Sequence, residues 1–275
     1  MMTDIDNLQS IARQVRRDIL NQTHEAGSGH PGGSFSSTEI LVALYCHIMN
    51  HDPSRPRWEE RDRFVLSKGH AAPALYAVLA HCGYFSHDEL TTFRKLGSVL
   101  QGHPDINTPG IDVSTGSLGQ GLSIANGIAL AAKMDNQKYR TFVLLGDGEC
   151  DEGQVWEAAM LSSHYQLDNL CAIIDRNQFQ IDNTTEKIMA LEPLSAKWES
   201  FGWNVITING HNFADLISCL DFSRVIPHIP TLIIANTIKG RGISFMECQN
   251  LFHGRCLTPE EMKIALRELD GGSHE

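Results

Sequence analysis

The sequence contains no run of 18 or more apolar residues among its 275 positions, and this absence excludes a membrane-spanning helix. Its N-terminus also lacks a basic segment followed by an apolar one, the pattern of a secretory signal peptide. Acidic residues outnumber basic ones by 33 to 22, which gives a formal net charge of −11. That charge argues against a nucleic acid or an acidic membrane as the main partner.

The seven cysteines include no pair at C-x-x-C spacing. An odd number without that spacing indicates reduced thiols, and it argues against zinc bound by cysteine. We therefore expect a cytoplasmic protein. No internal repeat, low-complexity tract or linker-like segment interrupts the chain, and 42% hydrophobic with 20% charged residues is typical of globular proteins. We expect one domain over residues 1–275.

Strand-like and helix-like segments alternate along the chain. Short apolar runs predict strands at 64–66, 141–145, 170–175, 205–208 and 231–235. Helical periodicity predicts a helix from Leu8 to Ile19, and capping-box patterns predict helix starts at 36–39, 86–89 and 258–261. The alternation predicts an α/β fold of three layers, α/β/α, with a mainly parallel sheet between the helices.

Asp147 and Asn177 each follow one of two consecutive predicted strands. Ligands of open parallel sheets bind at the carboxyl ends of the strands. A carboxylate and an amide oxygen converging there suit a hard cation such as Mg²⁺ or Ca²⁺, which also binds phosphate. Gly146 and Gly148, on either side of Asp147, let a diphosphate approach the backbone. The sequence therefore predicts a site for a metal-bound diphosphate cofactor.

Four of the 13 histidines lie in loops beside glycine: His30, His70, His103 and His253. An imidazole donates hydrogen bonds to phosphate or sugar oxygens and carries a proton near neutral pH. Each one alone is more typical of a capping or packing histidine. Their combination with the metal motif is what points to chemistry.

The order of these motifs resembles the transketolase family over almost the whole chain. The pattern consists of Ser-Gly-His-Pro-Gly at 28–32, Ser-Lys-Gly-His at 67–70, Gly-His-Pro at 102–104, a glycine loop at 115–121, Gly-Asp-Gly at 146–148 with Asn177, and Lys-Gly-Arg-Gly at 239–242. The resemblance implies a thiamine-diphosphate-binding fold, with thiamine diphosphate and Mg²⁺ or Ca²⁺ as cofactors.

The resemblance also implies a role for each matching residue. Asp147, Asn177 and the backbone carbonyl of Phe179 would bind the metal. His30, His103 and His253 would contact the reacting sugar and move protons. The cofactor-binding set would be His70, Gly116, Ser117, Leu118, Gly148, Glu149, Asn177, Lys239 and His253.

Neighbouring charged residues have simpler interpretations as well. Glu149 and Asp151 fit the role of acids in the first turn of a helix, which the helix dipole favours. For Glu152 and Glu157 that interpretation and a role near the cofactor or a subunit contact remain open. Lys68 is interpreted as serving the loop or the solvent.

Full-length transketolases also carry a pyrimidine-binding module and a C-terminal module, for which this sequence has no counterpart. The resemblance therefore implies the N-terminal subunit of a split transketolase of the pentose phosphate type, which transfers a two-carbon ketol unit between sugar phosphates. Its partners would be a C-terminal subunit that carries the pyrimidine-binding module and a second copy of this chain, in a heterotetramer.

Two alternatives remain at this point. The first is a subunit of another thiamine-diphosphate enzyme, similar to 1-deoxyxylulose-5-phosphate synthase or to the α subunit of a 2-oxoacid dehydrogenase. The second is a non-catalytic cofactor-binding subunit. The presence of His30 and His103, which have no part in holding a diphosphate, favours catalysis over the second.

Overall fold

A computed structural model describes residues 5–271; residues 1–4 and 272–275, which the expected single domain includes, lie outside the described part. The described chain forms a five-stranded sheet in the order β1-β2-β3-β5-β4, and every neighbouring pair is parallel. The strands are β1 (Arg63–Leu66), β2 (Thr141–Gly146), β3 (Leu170–Arg176), β4 (Asn204–Asn209) and β5 (Thr231–Asn236). The predicted strands are confirmed.

Helices cover both faces of the sheet. They are α1 (Ile5–Glu25), α2 (Pro31–Ser36), α3 (Thr38–Ala43), α4 (Ala72–Cys82), α5 (Gln120–Met134), α6 (Gly153–His164), α7 (Thr185–Ile188), α8 (Leu194–Ser200), α9 (Phe213–Phe222) and α10 (Pro259–Leu269). In the described residues none of them is long and apolar enough to cross a membrane.

Alternate strand residues pack into two separate cores. Phe142 and Leu144 of β2 join one core with α1, α3, α4, α9 and α10. Val143 and Leu145 join the other, with α5, α6 and α8. Successive side chains of a strand point to opposite faces, so β2 and β3, which are buried along their whole length, need helices on both sides. The predicted three-layer α/β/α fold is confirmed.

The capping box expected at 36–39 is wrong. The chain is already helical before it, in α2, and the Ser37 side chain makes no capping hydrogen bond to α3. The hydroxyls of Ser36 and Ser37 donate to the Asp175 carboxylate instead. The Glu39 carboxylate forms an ion pair with Arg16. After Ala43 the helix changes to a π-helical turn, Leu44–Ile48.

The capping box at the last helix is confirmed, because the Thr258 and Glu261 side chains cap each other's backbone N–H groups. At 86–89 the Ser86 hydroxyl accepts from the backbone of Asp88, and it begins a 3₁₀ helix, His87–Thr92, rather than an α-helix. Helix α9 was not predicted. Its start is marked by Asn212, whose side chain accepts from the first-turn N–H groups.

Candidate functional site

The carboxyl ends of β2 and β3 lie side by side, since Gly146 pairs with Asp175 in the ladder. Asp147 follows β2 directly, and Asn177 follows β3. The Oδ2 atom of Asp147 accepts a hydrogen bond of 2.6 Å from the backbone N–H of Gln178. The two motif residues therefore lie together at one edge of the sheet, as the sequence predicts.

The Asp147 carboxylate is 2% exposed and accepts from three groups. The backbone of Gly148 donates to Oδ1 at 2.8 Å, while Gln178 and the Arg176 guanidinium, at 3.2 Å, donate to Oδ2. Burial raises the pKa of Asp147 to about 6, and nearby Asp175 adds to this effect, whereas Arg176 and the backbone donors lower it. A bound cation would stabilise the ionised carboxylate further.

Arg176 holds the segment after β3 to Asp147. Besides Asp147, its guanidinium donates to Thr185 at 2.7 Å and to Glu186 and Glu192 at 3.0 Å each. This role of Arg176 was not predicted from the sequence. An arginine at the end of a buried strand, directly before the motif asparagine, was the available signal, because a buried guanidinium requires carboxylate partners.

Glu149 lies in the first turn after Asp147, as expected for a helix-start acid, but its carboxylate is buried. Oε1 accepts from the Ser67 hydroxyl and from the backbone of Gly119, and Oε2 accepts from the backbone of Gly146. Burial raises its pKa. Glu149 therefore connects the loops after β1 and β2 with the glycine loop before α5, where Gly119 has a left-handed φ of 84°.

The expected role of Lys68 toward the solvent is wrong because its side chain is buried, whereas a role in the loop agrees with its contacts. Its side chain is 1% exposed and forms an ion pair with the fully buried Asp175, and its Nζ also donates to the Gly33 carbonyl at 3.1 Å. Burial opposes ionisation of Asp175, but Lys68 and the hydroxyls of Ser36 and Thr237 hold the pKa of Asp175 below its usual value. This network anchors the loop after β1 beneath the site.

The four glycine-flanked histidines converge on one region. The ring centroid of His30 lies 5.4 Å from that of His70, 6.2 Å from that of His103 and 5.4 Å from that of His253. The rings of His70 and His253 are 5.3 Å apart. Gly116 touches this cluster, because a Cβ built there would lie 3.0 Å from the His103 ring. Four loops far apart in sequence thus place their imidazoles together.

Each of these histidines has a lowered pKa. Burial, followed by Arg94, His103 and Lys239, lowers the pKa of His30 to about 4. Burial, followed by Lys239, His30 and Lys68, lowers that of His253 to about 3. The pKa values of His70 and His103 are also lowered, mainly by burial. The lowered pKa values favour the uncharged form of all four imidazoles at neutral pH.

Lys239 brings a buried cation to the same region. It is 1% exposed; its Nζ donates to the carbonyl of Gln180 and lies 3.1 Å from Nδ1 of His253. Burial, and then the neighbouring Lys68, lower the pKa of Lys239 to about 8. The carboxylates of Asp147 and Asp175 act in the opposite direction on the pKa of Lys239 but do not offset these two effects.

A cleft lies beside these groups. Of the sequence-predicted residues, those that line it are His70, Leu118, Asp147, Gly148, Glu149, Asn177, Phe179, Lys239 and His253. His30 and His103 lie at the histidine cluster, and Ser117 is exposed next to Leu118 in the glycine loop. Glu152 and Glu157 are exposed on the first turns of α6. Among residues 5–271, no group of three or more His, Cys, Asp or Glu side chains could hold a metal by itself.

The donor set nevertheless fits a metal diphosphate. One carboxylate, one amide oxygen and a carbonyl supply oxygen ligands of the kind Mg²⁺ prefers, and Mg²⁺ usually completes its shell with water and phosphate oxygens. Lys68 and Lys239, which also line the cleft, supply positive charge. The Nδ1 atom of His30 is buried and has no hydrogen-bond partner among residues 5–271, so it is available to a ligand.

Comparison with protein families gives an independent result. Residues 7–273 match the family model described as transketolase, thiamine diphosphate binding domain. The chain is 47% identical to the 6-deoxy-6-sulfo-D-fructose transketolase subunit of a Clostridium species, over 96% of both chains. It is 44% identical to an apulose-4-phosphate transketolase subunit of Phocaeicola vulgatus, over 96% of this chain and 94% of that one.

Larger relatives match over part of their length. Human transketolase is 42% identical over 95% of this chain and 42% of its own. The crystal structure of transketolase from Campylobacter jejuni superposes with a TM-score of 0.92 at 34% identity, covering 98% of this chain and 43% of that one. The chain therefore spans less than half the length of these two proteins.

Proposed function

The chain belongs to the transketolase family as its thiamine-diphosphate-binding domain, and from this premise we propose that it is the N-terminal subunit of a split transketolase. The observation that carries the proposal is the convergence of four uncharged histidines beside Asp147 and Asn177. A binding module needs the oxygen ligands and the lysines. A ketol transferase needs, in addition, imidazoles that accept and return protons.

Mg²⁺ would be held by the Asp147 carboxylate, the Asn177 amide oxygen and the Phe179 carbonyl. The diphosphate would lie against Gly148, His70 and Lys239, and against the glycine loop at Gly116, Ser117 and Leu118. Support comes from the cleft, which all of these residues except Gly116 and Ser117 line, and from the lowered pKa of Lys239, which a bound anion would reverse. We assign Glu149 an indirect part, since both of its oxygens already accept from the protein.

The bound thiamine diphosphate supplies the carbon nucleophile and electron sink that carry a two-carbon ketol unit. This chain supplies proton transfer and orientation. His30, His103 and His253 would hold the reacting hydroxyl and carbonyl groups of the sugar, and their lowered pKa values favour the uncharged form that a proton acceptor requires. His70 contacts the cofactor and helps close the cluster.

The second half of the site would come from another polypeptide with a pyrimidine-binding module, in an assembly of two copies of each chain. Two relatives of this length are named as transketolase subunits. Large apolar side chains at or near the cleft are exposed, among them Ile181 at 67% and Leu251 at 61%. Covering them fits an apolar interface of more than about 2,000 Å².

The substrates would be a ketose donor and an aldose acceptor that carry a terminal anionic group. The names of the relatives include a sulfonated fructose and a sugar phosphate, so the donor of this chain is to be sought among both kinds. We further propose that residues 1–275 form one domain, since a single sheet carries both cores. A cytoplasmic location agrees with seven free cysteines.

The test is ketol transfer with thiamine diphosphate and Mg²⁺, measured on this chain alone and after addition of the C-terminal transketolase polypeptide encoded beside it. Xylulose 5-phosphate, apulose 4-phosphate and 6-deoxy-6-sulfo-D-fructose serve as donors, and ribose 5-phosphate serves as acceptor. Activity only in the mixture supports the proposal. Activity of this chain alone contradicts the split site, and cofactor binding without transfer from any donor contradicts the catalytic role.

A further inference from the structure

Arg94 stands out among the residues that the proposed chemistry does not use. It follows the 3₁₀ helix His87–Thr92 and adopts a left-handed backbone conformation with φ of 60°. Such a conformation is uncommon for a residue other than glycine and is found most often at functional sites. Its backbone N–H donates to the Leu100 carbonyl at 2.8 Å, which closes the loop and directs the side chain inward.

The guanidinium of Arg94 connects two histidine loops. Its Nη1 donates to the hydroxyl of Ser28, two residues before His30. On the other side it packs against the backbone at Gly102, since a Cβ built there would lie 2.6 Å from Nη2 and 2.7 Å from Nε. Gly102 directly precedes His103. Arg94 thus contacts the neighbours of both histidines whose rings are 6.2 Å apart.

We propose that Arg94 is a positioning residue that clamps the His30 loop to the His103 loop and so fixes the two imidazoles relative to each other. The inference rests on the proposed function, because it assigns those imidazoles to proton transfer. Glycine at position 102 is then explained by the space that the guanidinium takes. The buried Nε of Arg94, which has no partner among residues 5–271, shows that hydrogen bonding alone does not account for this placement.

The positive charge of Arg94 adds an electrostatic effect on His30 and His103 to the proposed clamp. The groups that face His30 are Arg94, His70, His103, Lys239 and His253. His103 faces Arg94 and His30. Arg94 is the cation next to both rings, and its charge disfavours their protonation. Clamp and charge together would keep a pair of neutral imidazoles at a fixed separation.

The inference is tested first without the partner chain, by NMR titration of the histidine side chains. Arg94→Met removes the charge and the clamp, and Arg94→Lys keeps only the charge. The control Arg224→Met removes an exposed arginine near the opposite edge of the sheet. Resonances are assigned with His30→Gln and His103→Gln. In Arg94→Met we expect both titration midpoints to rise by about 1 unit, while Arg94→Lys and Arg224→Met leave them close to wild type.

The second readout is steady-state ketol transfer in the presence of the partner chain. Loss of the clamp in Arg94→Met and Arg94→Lys should lower kcat by about 10²-fold, the cost of misplacing catalytic groups by about 1 Å, with little change in the donor KM. Wild-type turnover of Arg94→Lys, or of a folded Arg94→Met protein, would overturn the clamp, and wild-type titration midpoints in Arg94→Met would overturn the contribution of its charge. If the wild-type mixture is inactive, that result rejects the proposed function separately. The clamp is then decided by the nuclear Overhauser effects between the His30 and His103 rings of the isolated chain, which both Arg94 variants should weaken and which would be unchanged if the clamp were wrong.

Discussion

The two edges of the parallel sheet hold their buried charges in different ways. At the amino edge, before β1 and β2, two buried carboxylates are partnered within the chain, whereas the Arg140 guanidinium donates to the Ser223 carbonyl and has a pKa lowered by burial. Arg61 and Asp112 form a bidentate ion pair at 8% side-chain exposure each, and Asp112 also accepts from the backbone of Phe64. The two oxygens of Asp62 accept from the backbone of Asn50 and of Arg140.

At the carboxyl edge the pairing is incomplete. Lys68 has Asp175 as its partner, but Lys239 has a carbonyl and a neutral histidine, and the pKa values of Lys239 and the four histidines are all lowered. Under the proposed function, a bound diphosphate and a bound cation would complete the pairing at the carboxyl edge.

Among the variants that compare the two edges, Asp147→Ala is expected to have the largest effect, which is on the affinity for thiamine diphosphate. The change removes the only charged metal ligand in the proposed set, so Mg²⁺-dependent binding of thiamine diphosphate should weaken by more than about 10²-fold, beyond the 10–100-fold typical of outer partners. Isothermal titration calorimetry with and without Mg²⁺ measures it. Asp151→Ala, which alters an exposed carboxylate four residues away, is the control. Retained Mg²⁺-dependent affinity would reject the metal assignment.

His103→Ala separates catalysis from binding within the carboxyl edge. Loss of proton transfer typically lowers turnover by about 10²–10⁴-fold, while the affinity for thiamine diphosphate should remain near wild type because His103 does not line the cleft next to Lys239 and Asp147. Ketol transfer in the complete enzyme and calorimetry on the chain give the two values. An equal loss in both would make His103 structural.

Asp112→Ala and Lys68→Met compare a buried ion pair at each edge. Each leaves a buried charge without its partner, which costs about 3–5 kcal/mol of unfolding free energy. We expect similar shifts in urea denaturation. Only Lys68→Met should also weaken cofactor binding by the folded protein, because Lys68 lines the cleft. If Asp112→Ala weakened cofactor binding to the same degree, the assignment of cofactor binding to the carboxyl edge alone would be wrong.

The smallest effect is the pH dependence of stability that comes from the histidine cluster. The pKa of His30 is about 4 in the folded chain, against an ordinary value of 6.5, so between these values the unfolded chain binds the proton. Stability therefore falls as the pH drops from about 6.5 through 4. Urea midpoints between pH 8 and 4 should fall less steeply for His30→Asn than for wild type. Parallel curves would mean that His30 titrates normally.

Most of the fold follows from the sequence because its signals are local. The apolar runs of β2 and β3 and the periodic face of α1, in which Leu8, Ile11 and Val15 are buried, identify elements by their spacing alone. The position of Asp147 and Asn177 follows from strand order, since consecutive parallel strands end at the same edge. These predictions need no knowledge of distant contacts.

What the sequence does not show depends on contacts between distant segments. Lys68 and Asp175 are 107 positions apart, and nothing near Lys68 in sequence indicates that its Nζ is buried. The capping pattern at 36–39 fails for the same reason, because Asp175 takes the serine hydroxyls. The roles of Arg94 and Arg176 likewise depend on contacts between loops that are far apart in sequence.

Hydrogen–deuterium exchange of the chain with and without Mg²⁺ and thiamine diphosphate tests the difference between the edges most directly. Protection should appear in the carboxyl-edge segments 28–33, 67–70, 115–121, 146–149, 177–183 and 239–254, and exchange in the amino-edge segments 50–63 and 135–140 should not change. Protection at the amino edge, or none at the carboxyl edge under conditions that support ketol transfer, would contradict the account.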